Sequence, residues 1–334
     1  MGALLFTCAV AVSATPRFQA APEDRMGRVD PDCSSHLTDS TPWVRLTPVN
    51  RHHLSTRSCA VIEDTPIRIY RPTSSPTDDP LLMEQWHLDQ STAVSGPSPA
   101  PIDRGIGWVQ AVNETSSSAR IVRVALIDTG VDLDHPDLVD VLWSNPGELA
   151  NNGVDDDGNG YVDDTQGYDF VDDDPQAQDE HGHGTQVAGA LAAVSNNALG
   201  IAGVASNVEL VPLRVLAPFG NTLGVVAAID YAIAVEAELI QASFVTDDFD
   251  PMLEDALERA QAAGCVVVTA AGNDSRHIET RPVYPASFDN DSIVVVGAYT
   301  PYRRRWTRSN WGADTVDLFA PGTSILTLDL DGYR

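Results

Sequence analysis

The chain has 334 residues, 43% of them apolar, which suffices for one large buried core or a core with a short leading segment. Its 48 acidic and 20 basic residues give a formal charge of −28, and every basic residue is Arg. A surface of this sign repels nucleic acid and anionic lipid, which argues against both as partners.

Residues 1–14 hold an apolar run that ends in Ala-Val-Ser-Ala, the form of a secretory signal cleaved after Ala14, although the basic leading region is missing. No later stretch is long enough to span a membrane. Residues 15–78 are rich in Pro, Ser, Thr, Asp and Arg, with one strand-like stretch, Ile67–Tyr70, and read as a pro-segment or linker. The four cysteines form no Cys-x-x-Cys or His-spaced pattern, so zinc and redox chemistry have little support; Cys33 and Cys59 are candidates for a disulfide.

From Ile121 onward, short β-branched runs alternate with helical stretches, which predicts an α/β fold: a parallel sheet with helices on both faces. The predicted strands are 121–127, 208–216, 238–244, 265–270 and 292–298. Asp250 caps a predicted helix whose apolar spacing runs through Leu253, Ala256, Leu257 and Ala260, and Gly264 stops it. In such sheets chemistry gathers beyond the carboxyl ends of the strands, where Asp128 and Asn273 both fall.

Asp128 follows Val-Ala-Leu-Ile and precedes Thr-Gly, as either a functional carboxylate or an Asx-turn residue. His183 stands in Asp-Glu-His-Gly-His-Gly-Thr-Gln-Val-Ala-Gly, where the glycines permit close backbone approach and Val187, Ala188 and Leu191 begin a helix. By itself the His pair, His181 and His183, could equally bind a metal or be solvated. Asn273 ends Val-Val-Thr-Ala-Ala-Gly-Asn, as a turn residue or as an amide donor to a developing oxyanion.

Between Asp128 and Glu180 there are 17 carboxylates and no basic residue, which points to cations bound among them. Within this stretch the run from Asp155 to Asp164 places oxygen ligands at alternating positions, with Gly160 at the turn. It reads as a calcium loop with ligands Asp155, Asp157, Asn159 and Asp163, or else as a solvated acidic turn. Gln166 at the twelfth position sets it apart from an EF-hand. Arg303, Arg304, Arg305 and Arg308 form a basic cluster around Trp306, for which internal pairing is expected.

A strand-end Asp-Thr-Gly, a His-Gly-Thr that opens a helix and a strand-end Ala-Ala-Gly-Asn occur here in one order. Together with Gln85-Trp86, His135-Pro-Asp-Leu, Leu213-Arg-Val-Leu, Tyr284-Pro-Ala, Ser309-Asn-Trp-Gly and Ala320-Pro-Gly, they resemble the subtilisin-like serine proteases over roughly residues 80 to 334. The resemblance implies a catalytic domain at 79–334 and a serine endopeptidase acting as a monomer on protein or peptide substrates. It further implies a triad in which Asp128 orients His183, His183 activates a serine, and Asn273 lines the oxyanion hole. Structural calcium and a secreted location go with it.

Ser243, Phe244, Val245, Ala271 and Gly272 match the substrate-groove positions, with Val245 in place of a family glycine that leaves the groove open. Gln186 replaces the second His of the family's His-Gly-Thr-His, outside the triad. The family nucleophile sits in Gly-Thr-Ser-Met-Ala beyond Ala-Pro-Gly. Gly322-Thr323-Ser324 imitates it but precedes Ile-Leu-Thr, so the nucleophile is expected to be missing from this chain and the chain to be inactive as it stands. A non-catalytic, calcium-stabilised binding protein is the rival reading.

Overall fold

The computed structural model describes residues 77–88, 105–114, 120–217 and 219–334. The expected signal, the Cys33/Cys59 pair, the strand-like stretch 67–70 and all of the pro-segment except Thr77 and Asp78 lie outside the described residues.

In chain order the elements are α1 (Trp108–Glu114), β1 (Val122–Asp128), β2 (Tyr168–Asp169), α2 (His183–Ala192), β3 (Val208–Arg214), α3 (Thr222–Ala234) and β4 (Leu239–Ala242). There follow α4 (Pro251–Ala263), β5 (Val266–Ala270), β6 (Ile293–Tyr299), β7 (Leu318–Pro321) and the hairpin of β8 (Leu328–Asp329) with β9 (Gly332–Tyr333). Strands β1 to β7 form one sheet in the order β2-β3-β1-β4-β5-β6-β7, every neighbouring pair parallel.

The alternation of β1 shows why helices cover both faces. Ala125 and Ile127 pack with Val225, Ile229, Leu253 and Leu257 of α3 and α4, whereas Val124 and Leu126 pack with Val187, Ala188 and Leu191 of α2. Ile127 and Leu126 are fully buried, each worth about 1.5–3 kcal/mol of transfer free energy. A strand with apolar residues on both faces is stable only between two covered layers.

All five predicted strands are present, and α4 is punctuated as expected. Asp250 Oδ1 accepts from Met252 N at 2.9 Å, Pro251 occupies the first turn, and Gly264 takes φ 86° beyond the last residue. The strand expected at 238–244 is shorter: pairing stops at Ala242, opposite Ile127 and Thr269, so Ser243, Phe244 and Val245 leave the sheet.

The segment before β1 is tied to the body of the fold. Gln85, fully buried, exchanges both amide hydrogen bonds with the Ala202 backbone at 2.8 Å. The Trp86 indole N–H donates to the carbonyls of Ser324 (2.7 Å) and Thr323 (3.2 Å).

Candidate active site

Strand order reverses at β1, because the chain goes from β1 to β3 on one side and resumes at β4 on the other. In open parallel sheets ligands gather beyond the carboxyl end of the strand where the order reverses, and Asp128 is the last residue of β1. The Asp128 carboxylate is fully buried. Its Oδ1 accepts from Thr129 N at 2.7 Å and lies 2.6 Å from His183 Nδ1, while Oδ2 has no hydrogen-bond partner among the described residues.

His183 opens α2, with Gly182 before it at φ 93°. A Cβ at Gly184 would stand 1.9 Å from the Gly130 carbonyl oxygen, so only glycine lets the start of α2 lie against the turn after β1. One carboxylate organises this corner. Buried Asp179 accepts from Thr129 Oγ1, His181 N, Gly182 N and Thr185 N at 2.9 Å each, and from Thr185 Oγ1 at 2.7 Å. Gly184 N then donates to Thr129 Oγ1 at 2.9 Å, locking helix to turn.

Burial opposes protonation of the His183 imidazole, but the Asp128 charge and hydrogen bond, with the Asp179 charge, outweigh it and hold its pKa above the ordinary 6.5. The ring remains partly open, with 22% of its side chain exposed. Among the described residues nothing hydrogen-bonds its Nε2.

β5 lies two strands from β1, about 10 Å away at ordinary strand spacing, and runs the same way, so its end opens on the same edge. There Gly272 takes φ 99° and Asn273 follows. Buried Asn310 staples this turn: its Nδ2 donates to Ala271 O (2.9 Å), its Oδ1 accepts from Asp274 N (2.8 Å) and Arg276 N (2.9 Å), and its backbone N donates to Gly272 O (2.9 Å). A Cβ at Gly272 would lie 2.4 Å from Asn310 Nδ2. The Asn273 Oδ1 is buried without a partner.

The expected groove residues follow the ends of β4 and β5 directly. Ser243 Oγ accepts from Gln241 Nε2 at 3.0 Å, Phe244 packs against the α3/α4 core, and Val245 Cγ2 lies 3.6 Å from where a Gly272 Cβ would be. Ser324 lies past β7 at φ 53°, its carbonyl held by Trp86.

In the acidic stretch the structure regroups the expected ligands. Asp155 accepts from the N–H groups of Gly158, Asn159 and Gly160, and Asp163 from those of Asn152 and Gly153, so both serve their own turns. Asp157 and Glu148 also accept loop N–H groups, but they converge with Asp164, one oxygen from each of the three lying within 4.8 Å of the others. Asn159 reaches Asp164 Oδ2 at 2.9 Å through its amide nitrogen. Burial raises the Asp164 pKa, aided by the Asp157 charge and opposed by hydrogen bonds from Tyr231, Asn159 and Asn145. An all-oxygen set of clustered, partly buried carboxylates fits a hard divalent cation.

The sequence model of the Subtilase family matches residues 120–333. The chain belongs to the subtilase family. This subtilase is 40% identical over 206 residues to the "Thermophilic serine proteinase" of Bacillus sp. (strain AK1), a match covering 61% of this chain and 44% of that one. It is 34% identical over 205 residues to "Thermitase" of Thermoactinomyces vulgaris, covering 61% and 63%. The chain thus spans less than two thirds of the length of these curated relatives. Solved proteases from Pseudoalteromonas arctica superpose with a TM-score of 0.57 at 26% identity, covering 76% of this chain and 77% of that one.

Sequence reasoning on this subtilase assigned no role to Asp179, Asn310, Glu148 or Asp164. Asp179 and Asn310 lie inside motifs quoted above, which was the available signal for each. Glu148 precedes the Asp-rich run and carried no signal of its own.

Proposed function

We propose that this protein is a serine-type endopeptidase, and the observation that carries the reading is the 2.6 Å contact between buried Asp128 and His183 Nδ1. A carboxylate at Nδ1 fixes the imidazole tautomer with its lone pair on Nε2, the nitrogen left open. His183 Nε2 takes the proton of a serine hydroxyl as that oxygen attacks a peptide carbonyl, then returns it to the leaving amine. Asp128 stays ionised and stabilises the imidazolium, and the Asn273 amide N–H donates to the oxyanion, a role worth on the order of 3 kcal/mol. Ser324 is not read as that serine, because Gly322-Thr323-Ser324 is followed by Ile-Leu-Thr.

The substrate backbone enters between the 243–245 and 271–273 segments, where Val245 beside Gly272 restricts it to small or extended side chains. Glu148, Asp157 and Asp164 would hold a structural calcium ion, which neutralises their mutual repulsion and fixes the loop leading from Asp128 toward His183. The protein acts outside the cell, as a monomer, on protein substrates. Among the described residues no helix is long and apolar enough to cross a membrane.

Hydrolysis of a denatured protein by the protein expressed from its gene tests the reading. Asp128→Asn should lower kcat about 10⁴-fold and Asn273→Ala about 10²- to 10³-fold. Undiminished hydrolysis in His183→Ala would overturn it.

A further inference from the structure

The arginine run at 303–308 is the densest positive charge in a chain of −28, and its members differ in what they do. Arg305 serves the fold: it donates to the Ser309 carbonyl at 2.5 Å and lies 5.8 Å from the Trp311 ring centroid. Arg308 does not. Its exposed guanidinium lies 5.5 Å from the centroid of Trp306, and among the described residues it pairs with no carboxylate. The neighbouring Asp274 lies 3.7 Å from Arg276 instead.

The location of this stack follows from the backbone. Trp306 packs on buried Ala270 and Ala298, at the carboxyl ends of β5 and β6, and its N–H donates to Ala298 O at 2.8 Å. Ser275 donates its N–H to Arg308 O and its hydroxyl to Thr307 O, both at 2.8 Å. Residues 306–308 therefore run alongside the turn that carries Asn273, stapled there by Asn310. An indole beneath a guanidinium limits the orientations of the long side chain while its N–H edge stays open, an arrangement matched to a carboxylate.

We propose that Arg308, laid on Trp306, is a subsite for an acidic side chain of the bound polypeptide, next to the bond under attack. The inference rests on the endopeptidase reading and names the substrate class it favours: chains carrying Asp or Glu near the cleavage position. In a protein whose surface otherwise repels acidic chains, one unpaired Arg beside the groove supplies local attraction where the general field supplies none.

Fluorescence anisotropy of labelled decapeptides tests this without requiring hydrolysis. The series has a Gly-Ala-Leu background with one Glu, or one Gln as control, at each position in turn. At one position Glu should bind about fivefold tighter than Gln, as expected for an exposed ion pair, and the gain should vanish in Arg308→Gln and shrink at high salt. Equal binding of Glu and Gln peptides, or a Glu gain that survives Arg308→Gln, overturns the subsite and leaves the endopeptidase reading standing. Failure of every peptide to bind overturns both.

Discussion

Replacing Asp179 by Ala removes one acceptor from five hydrogen bonds at once, in a corner where Asp179, Thr129 and Thr185 are almost completely buried. The two hydroxyls can turn to other acceptors, but the N–H groups of His181, Gly182 and Thr185 are fixed by the backbone. Each buried orphan donor costs about 1–3 kcal/mol, so the loss should be about 3–5 kcal/mol after partial access of water. Against a typical total of about 5–15 kcal/mol this is a severe destabilisation. Urea unfolding at neutral pH measures it, with Asp179→Asn as a partner variant that keeps one acceptor oxygen and should lose less. The same substitutions remove a charge that raises the His183 pKa, so the imidazole titration should move down in both. A loss below about 1 kcal/mol for Asp179→Ala, with an unmoved His183 titration, would refute the role given to this carboxylate.

In NMR titrations, His183 should protonate above pH 6.5 in the wild type and lower in Asp128→Asn, because burial then acts with less opposition. Since its folded pKa is the higher one, its contribution to stability is complete below pH 6.5 and disappears as pH rises through the folded value. His87 works in reverse: it is buried with neither ring nitrogen hydrogen-bonded among the described residues, and burial lowers its pKa to about 4. The unfolded chain then takes up the proton first, so stability should fall by about 3 kcal/mol as pH drops from 6.5 to 4, a limb that His87→Phe removes; a flat profile in the wild type would contradict this. A hundredfold excess of calcium over its Kd should stabilise the fold by about 3 kcal/mol in thermal melts. That gain should be lost in Asp164→Ala and retained in Asp155→Asn; the opposite pattern would return the site to the Asp155 turn.

Strands β1, β3, β5 and β6 were readable from their β-branched runs, and α4 because its caps and its one apolar stripe agree. Helix α3 was less legible, since Thr-Leu-Gly-Val-Val-Ala-Ala-Ile-Asp-Tyr-Ala-Ile-Ala is apolar nearly all round and has no clear period. β2 spans two residues and β7 ends in Pro321, below what alternation can signal. Asp128 and His183 could be placed from local motifs because glycines mark the tight approach of their backbones. The acidic grouping could not. Alternating oxygens in sequence say nothing of which carboxylates the folded loop brings within a few ångströms of one another, as it does Glu148, Asp157 and Asp164.

Trp86 donates to carbonyls 237 and 238 positions further along the chain, and Gln85 seals against Ala202. During synthesis at about 5–20 residues per second, the segment around Trp86 emerges well before its acceptors exist. Strands β1 to β6 can assemble in the meantime, but the clasp closes only when the segment around Ser324 has been made. The arm around Trp86 therefore acts as a late seal: it closes a loop of more than two hundred residues and makes consolidation of the fold wait on residues 323 and 324.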